Sequence, residues 1–149
     1  MAEYLANDVQ TVPLNNPVIF TASIPCNNGY IYHEDETGNF ILRGIVNNSC
    51  GKFARYQLVF NGNIAVPTGG TVGPIAVALT VNGELRPTST AIITPAAVEE
   101  FGNVTSTAII TVPRGCCFNV AVRAVAGASD ATTAAIEVQN ANLVISRIA

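Results

Sequence analysis

The chain has little charge. Asp, Glu, Lys and Arg together make up 11% of its 149 residues, against about a quarter in an ordinary soluble domain. Lys occurs once, at Lys52, and six Arg are scattered along the sequence at positions 43, 55, 86, 114, 123 and 147. The formal charge is -3. Displacing counterions from phosphates takes grouped Lys and Arg, so the sequence argues against a nucleic-acid partner. The single His, His33, stands in the acidic run His33-Glu34-Asp35-Glu36. Adjacent carboxylates rarely converge on one cation, and a solvated turn without metal is expected there. No other His is available to activate a Ser or Cys, and no G-x-S-x-G elbow occurs. Thr68-Gly69-Gly70-Thr71 lacks both the Lys and the following helix of a phosphate cradle. The expectation is therefore no enzymatic activity and no cofactor.

Trp is absent, and with it the Cys-Trp-Cys arrangement of an immunoglobulin domain. No apolar run approaches the roughly 18 residues of a membrane span, so no membrane partner is expected. The opening MAEYLANDVQ lacks the basic and apolar regions of a secretory signal. Synthesis in the cytoplasm, with release by assembly or lysis, is the expectation. Nor does any window carry a 3.6-residue apolar period, so no helix is predicted.

What is present is strand and turn signal. In Ala54 to Phe60 the residues Ala54, Tyr56, Leu58 and Phe60 share one face of a two-residue alternation, and Asn61-Gly62 reads as a break. From Ile75 to Val81, Ile75, Val77, Leu79 and Val81 share one face while the other carries only Ala76, Ala78 and Thr80. A strand without charge on either face is covered on both, by a second sheet or by another subunit. Asn82-Gly83 is a hairpin signal, since both residues tolerate positive φ. Val18 to Ile24, Tyr30 to His33, Asn39 to Val46, Cys117 to Val125 and Ala135 to Ile148 read as further strands, the last changing phase near Asn140 as a bulge would. Thr88 to Thr94 and Thr105 to Thr111 are the same heptapeptide, TSTAIIT, and read as two similar strands. About nine or ten strands in one domain predict an all-β sandwich or jelly roll spanning 9–149, with a closed barrel as the alternative, preceded by an N-terminal arm at 1–8.

The apolar fraction is 49%, so the surface is left to Asn, Thr, Ser, Gly and Ala. Such a surface is poorly protected against association, which predicts an obligate oligomer. Cys26, Cys50, Cys116 and Cys117 match no metal or redox spacing. They are candidate disulfide cysteines, in any of three pairings, with buried free thiols or a bridge such as Cys50 to Cys117 as the expectations. Tyr4, Tyr30 and Tyr32 read as exposed aromatics that pack along an edge strand or against a neighbouring subunit, with stacking on sugars as the binding alternative, and Tyr30, Tyr32 and His33 form the candidate ligand loop.

Four segments together resemble a known jelly-roll domain family: IPCNNGYIYHEDETGNFILRGIV, ARYQLVFNGNIAVPTGGTVGPIAVALTVNGE, TPAAVEEFGNVTSTAIITVPRGCCFNVAV and IEVQNANLVISRIA. The family occurs in gut Firmicutes and their phages. It is similar to the trimeric heads of the tumour necrosis factor and complement globular-head superfamily, including the heads of bacterial collagen-like spore-surface proteins. The resemblance implies a ten-stranded, TNF-like jelly roll assembled as a homotrimer, with its last strand inside the fold. Ile75, Val77, Leu79 and Val81, with Ile136, Val138, Leu143 and Ile145 of the last strand, are then the candidate subunit interface. The function expected is that of a structural protein on a virion or extracellular particle surface, such as a phage capsid decoration or head-fibre component. The arm, Met1 to Val12, would dock it to a capsid or other particle protein. The alternative is a head that binds a host glycan or receptor.

Overall fold

Asn82 and Gly83 both take positive φ, 52° and 83°, closing the hairpin between β7 (Ile75–Val81) and β8 (Glu84–Leu85) as a turn of this composition should. The computed structural model describes residues 2–24, 29–34, 36–128 and 134–148. Among these residues it holds β1 (Ala2–Ala6), β2 (Gln10–Pro13), β3 (Ala22–Ile24), β4 (Ile31–His33), β5 (Phe40–Arg43) and β6 (Phe53–Ala65). After β7 and β8 come β9 (Ala91–Ile93), β10 (Gly102–Pro113), β11 (Cys117–Ala126) and β12 (Ala135–Arg147). Among the described residues there is one helical turn, a three-residue 3-10 turn at Pro87–Ser89.

Two antiparallel sheets result. The first runs β10-β6-β12-β1-β3, with β2 also on β12; the second runs β4-β5-β11-β7-β8, with β9 also on β7. Ten strand positions therefore carry twelve segments. The split between β1 and β2 has a local cause: the register on β12 shifts between Gln139 and Asn142, Asn140 takes φ 53°, and the N–H of Asn140 donates to the Asn7 carbonyl. The bulge read from the change of phase lies opposite this jog.

Alternation decides what fills the space between the sheets. Tyr56, Leu58 and Phe60 of β6 face Phe40 and Leu42 of β5, with Val18 and Phe20 between, and all are fully buried. Phe20 meets the Phe40 and Phe60 rings edge-on at 5.5 and 6.5 Å, the preferred aromatic geometry. Burial of each such side chain contributes roughly 1.5–3 kcal/mol.

Four expectations need correction. Asn61-Gly62 does not end β6, which runs through it to Ala65. A Cβ on Gly62 would lie 3.0 Å from the Phe60 ring and 3.6 Å from the Ala141 backbone, so this glycine makes room in the sheet instead of turning the chain. Residues 2–6 are not an arm either. They form β1, between β12 and β3, with Ala2, Tyr4 and Ala6 buried. Of Val18 to Ile24, only Ala22–Ile24 is strand.

The fourth correction concerns the residues expected at a subunit contact. Ile75, Val77, Leu79, Ile136, Val138, Leu143 and Ile145 are buried between the two sheets of one chain. Val81 is half-buried against the same core. The apolar stripe is spent inside the protomer.

Candidate functional site

The candidate ligand loop does not converge. Tyr30 lies under Arg147, whose guanidinium carbon sits 4.3 Å from the ring centroid, and its hydroxyl accepts from Asn47 Nδ2 at 3.2 Å. Tyr32 points away from the core and is exposed. His33 turns inward, stacked on Phe40 with centroids 4.4 Å apart and tilted against Tyr4 at 4.9 Å. Its Nε2 lies 2.9 Å from the Thr37 carbonyl. Tyr32 and His33, adjacent on β4, point to opposite faces, and Tyr30, ahead of the strand, is covered by Arg147, so the three make no stacking platform. Tyr4, read as exposed, is buried.

His33 and Glu34 gather no cation site: among the described residues no three His, Cys, Asp or Glu side chains come together, and Asp35 lies outside them. Cys50, Cys116 and Cys117 are free and exposed, neither buried nor bridged. Cys26 lies outside the described residues. Asn103 and Thr105, which in sequence form a glycosylation motif, lie on β10. Asn103 Nδ2 there donates to Asn61 Oδ1 at 2.8 Å and to Asn63 Oδ1 at 3.2 Å.

At the end of the sandwich where β5 stops and β6 starts, Tyr56 ties the sheets together. Its hydroxyl donates to the Arg43 carbonyl and lies 3.3 Å from that of Tyr30. Burial pushes the Tyr56 phenol up, against the opposing charge of Arg147. At the opposite end Glu99 takes φ 59°. Its Oε1 accepts from both the amide (2.9 Å) and the hydroxyl (2.8 Å) of Thr68. Those bonds, and one shared with Glu137, hold the Glu99 carboxyl below its ordinary value. Partial burial, with the hydrogen bond and the charge of Glu99, raises Glu137.

The feature the sequence reading passed over is the outward face of the first sheet. Register places Thr107, Val59, Val144, Glu3 and Ile24 in one row. Ile109, Gln57 and Ser146 make a second row, and Thr105, Asn61, Asn142, Leu5 and Ala22 a third. Glu3 is the one charge in the three rows, and it accepts from Asn142 Nδ2 at 2.6 Å. Ile109 is 53% exposed. The signal was available: the off-core positions of the alternation in β6 and β10 lack charge except at Arg55. That signal is weak beside the apolar alternation, whose positions the core consumes.

No protein-family model matches the chain, and no curated protein matches it. Solved structures do. The globular domain of zebrafish complement 1qA superposes with a TM-score of 0.65 at 16% identity, over 99% of this chain and 96% of that one. Eiger, a TNF from S. frugiperda, gives a TM-score of 0.65 at 10% identity, over 100% and 92%. The fold is the complement-head and TNF jelly roll. At such identities the likeness is one of fold, as the resemblance read from the sequence implied, and the jelly roll carries no activity with it. A third structure, the C-terminal domain of EclA, titled a sugar-binding protein, aligns at 16% identity over 95% and 79% with a TM-score of 0.42, too loose to bear on this chain.

Proposed function

We propose that this chain is a non-enzymatic head module that assembles as a homotrimer through the outward face of its first sheet. The observation that carries the reading is the near absence of charge across three adjacent rows of that face, with Ile109, Val59, Val144, Leu5 and Ile24 among the side chains there. Solvent-facing sheets normally carry Lys and Glu, which guard against association. The complement-head and TNF fold, and the low charge of the whole chain, support the same reading. The setting we propose is the surface of a virion or similar particle, as a capsid decoration or head-fibre protein; its support is the sequence resemblance to a family of gut Firmicutes and their phages.

Sedimentation equilibrium tests the assembly. The expected mass is three times the 15.5 kDa of the chain. Ile109→Glu, at an exposed site on β10, is expected to give folded monomers. A monomeric wild-type protein at micromolar concentration would overturn the reading. Co-purification with particles tests the setting separately.

A further inference from the structure

Residues far apart in sequence bring five of the seven Lys and Arg to one end of the sandwich. Arg43 closes β5, Lys52 and Arg55 open β6, Arg114 is in the turn between β10 and β11, and Arg147 closes β12. The main chain joins these places directly. The N–H of Arg114 donates to the Lys52 carbonyl at 2.9 Å, that of Gly115 to Gly44 at 3.0 Å, and that of Ile148 to Arg55 at 2.9 Å. Glu34, Glu36, Glu99, Glu100 and Glu137 fall at or near the opposite ends of these strands. Cations therefore gather at one end of a chain whose net charge is -3, and four of the six Arg that read as scattered are grouped by the fold.

The basic side chains are also held in place. Arg55 lies 4.6 Å over the Phe53 ring and Arg147 over Tyr30. Arg43 Nη1 donates to the Gly29 carbonyl at 3.3 Å, and Arg114 Nη1 to those of Asn48, Ser49 and Gly51 at 3.3–3.4 Å. Aromatic faces and carbonyls fix a guanidinium without cancelling its charge, and a fixed planar fork suits two-point contact with an oxyanion. Lys52 is exposed beside them.

We propose that this basic end is a binding surface for an anionic polysaccharide bearing carboxylate or sulfate groups, with Arg43, Lys52 and Arg55 contacting those groups. Carbohydrate fits better than nucleic acid because one face of each ring at this end, Tyr30 and Phe53, is occupied by a guanidinium, which competes with a stacked base. The adjoining 47–51 loop offers the Asn47, Asn48 and Ser49 side chains for sugar hydroxyls. Arg55 stands one row beyond Ile109 and Gln57 on the outward face of the first sheet, at the margin of the proposed subunit contact, while Lys52 and Arg43 lie outside that face, and the surface does not rest on trimer formation.

Titration calorimetry of the full chain with dextran sulfate, polygalacturonate, uncharged dextran and a DNA duplex, at about 50 and about 200 mM NaCl, tests this. Saturable binding of at least one of the two anionic polysaccharides is expected. It should weaken with salt, be absent for dextran, and fall about tenfold in a Lys52→Gln/Arg55→Gln variant of unchanged thermal midpoint. Glu34→Gln/Glu36→Gln, at the other end, should bind as wild type. If the double variant fails to fold, Arg43→Gln on the second sheet should show the loss. No saturable binding of either polyanion, undiminished binding by the folded variants, or tighter binding of DNA than of both polysaccharides would overturn the assignment. A trimer that binds neither polyanion sinks this inference alone, and a monomer that binds sinks only the assembly.

Discussion

The Ser106 hydroxyl donates a hydrogen bond to the carbonyl of Ser89. Both residues are buried, and they are the second residues of the two TSTAIIT copies. Ser89 sits in the 3-10 turn beside β7, where its Oγ accepts from the Leu79 amide at 2.9 Å and donates to the Arg86 carbonyl at 2.6 Å. Ser106 is in the middle of β10, in the other sheet. Identical heptapeptides thus form a seam between the sheets, each in a different conformation.

Ser106→Ala removes the donor and leaves a buried carbonyl short of a partner, while Ser89→Ala strands the Leu79 amide. Each is expected to cost about 1–3 kcal/mol in urea unfolding. The double variant should lose less than the sum, because the two serines share one network. Additive losses would show that the seam is not coupled.

Tyr56→Phe deletes the hydroxyl bonded to the Arg43 carbonyl and should destabilise by about 1–2 kcal/mol at neutral pH. Because the folded phenol is raised above its unfolded value near 10, its contribution is complete below that pH. It is lost as pH rises through the folded value. Thermal midpoints from pH 8 to 11 should therefore converge for wild type and variant at the alkaline end. A constant difference across the series would contradict the linkage.

Glu137 and Glu99 pull in opposite directions. Glu137 is raised, so its stabilisation is present below the ordinary carboxylate value and disappears as pH rises through the folded one. Glu99 is lowered, so its stabilisation is present above the ordinary value and disappears as pH falls. At neutral pH two carboxylates face one another. Glu137→Gln should raise the thermal midpoint at pH 7 and lose that advantage near pH 4. A variant less stable than wild type at pH 7 would contradict this.

Deleting residues 2–8 removes β1 from between β12 and β3 and takes Tyr4 out of the core. Burial of Tyr4 alone is of order 2 kcal/mol, and the backbone partners of β12 are lost with it. The truncated chain is expected to be insoluble or to melt at a much lower temperature. If it folds with an unchanged midpoint, the segment is an arm after all.

The sequence by itself determined the local choices. Two-residue alternation named the inward residues of β6, Asn82-Gly83 named a hairpin, a change of phase named the bulge opposite Asn7, and the missing 3.6 period excluded helices. These depend on a residue and its near neighbours, where side-chain direction and φ preference act. Other assignments failed because they turn on what approaches from elsewhere. Gly62 is a turn signal until the Phe60 ring needs its space. Two copies of TSTAIIT are alike until one lies beside β7 and the other beside β6. The stripe from Ile75 to Leu79 reads as an interface until the opposing sheet covers it. Charge is the plainest case: Arg43, Arg55, Arg114 and Arg147 are scattered along the chain. Only antiparallel return of the strands, which carries distant positions to the same end, makes them neighbours.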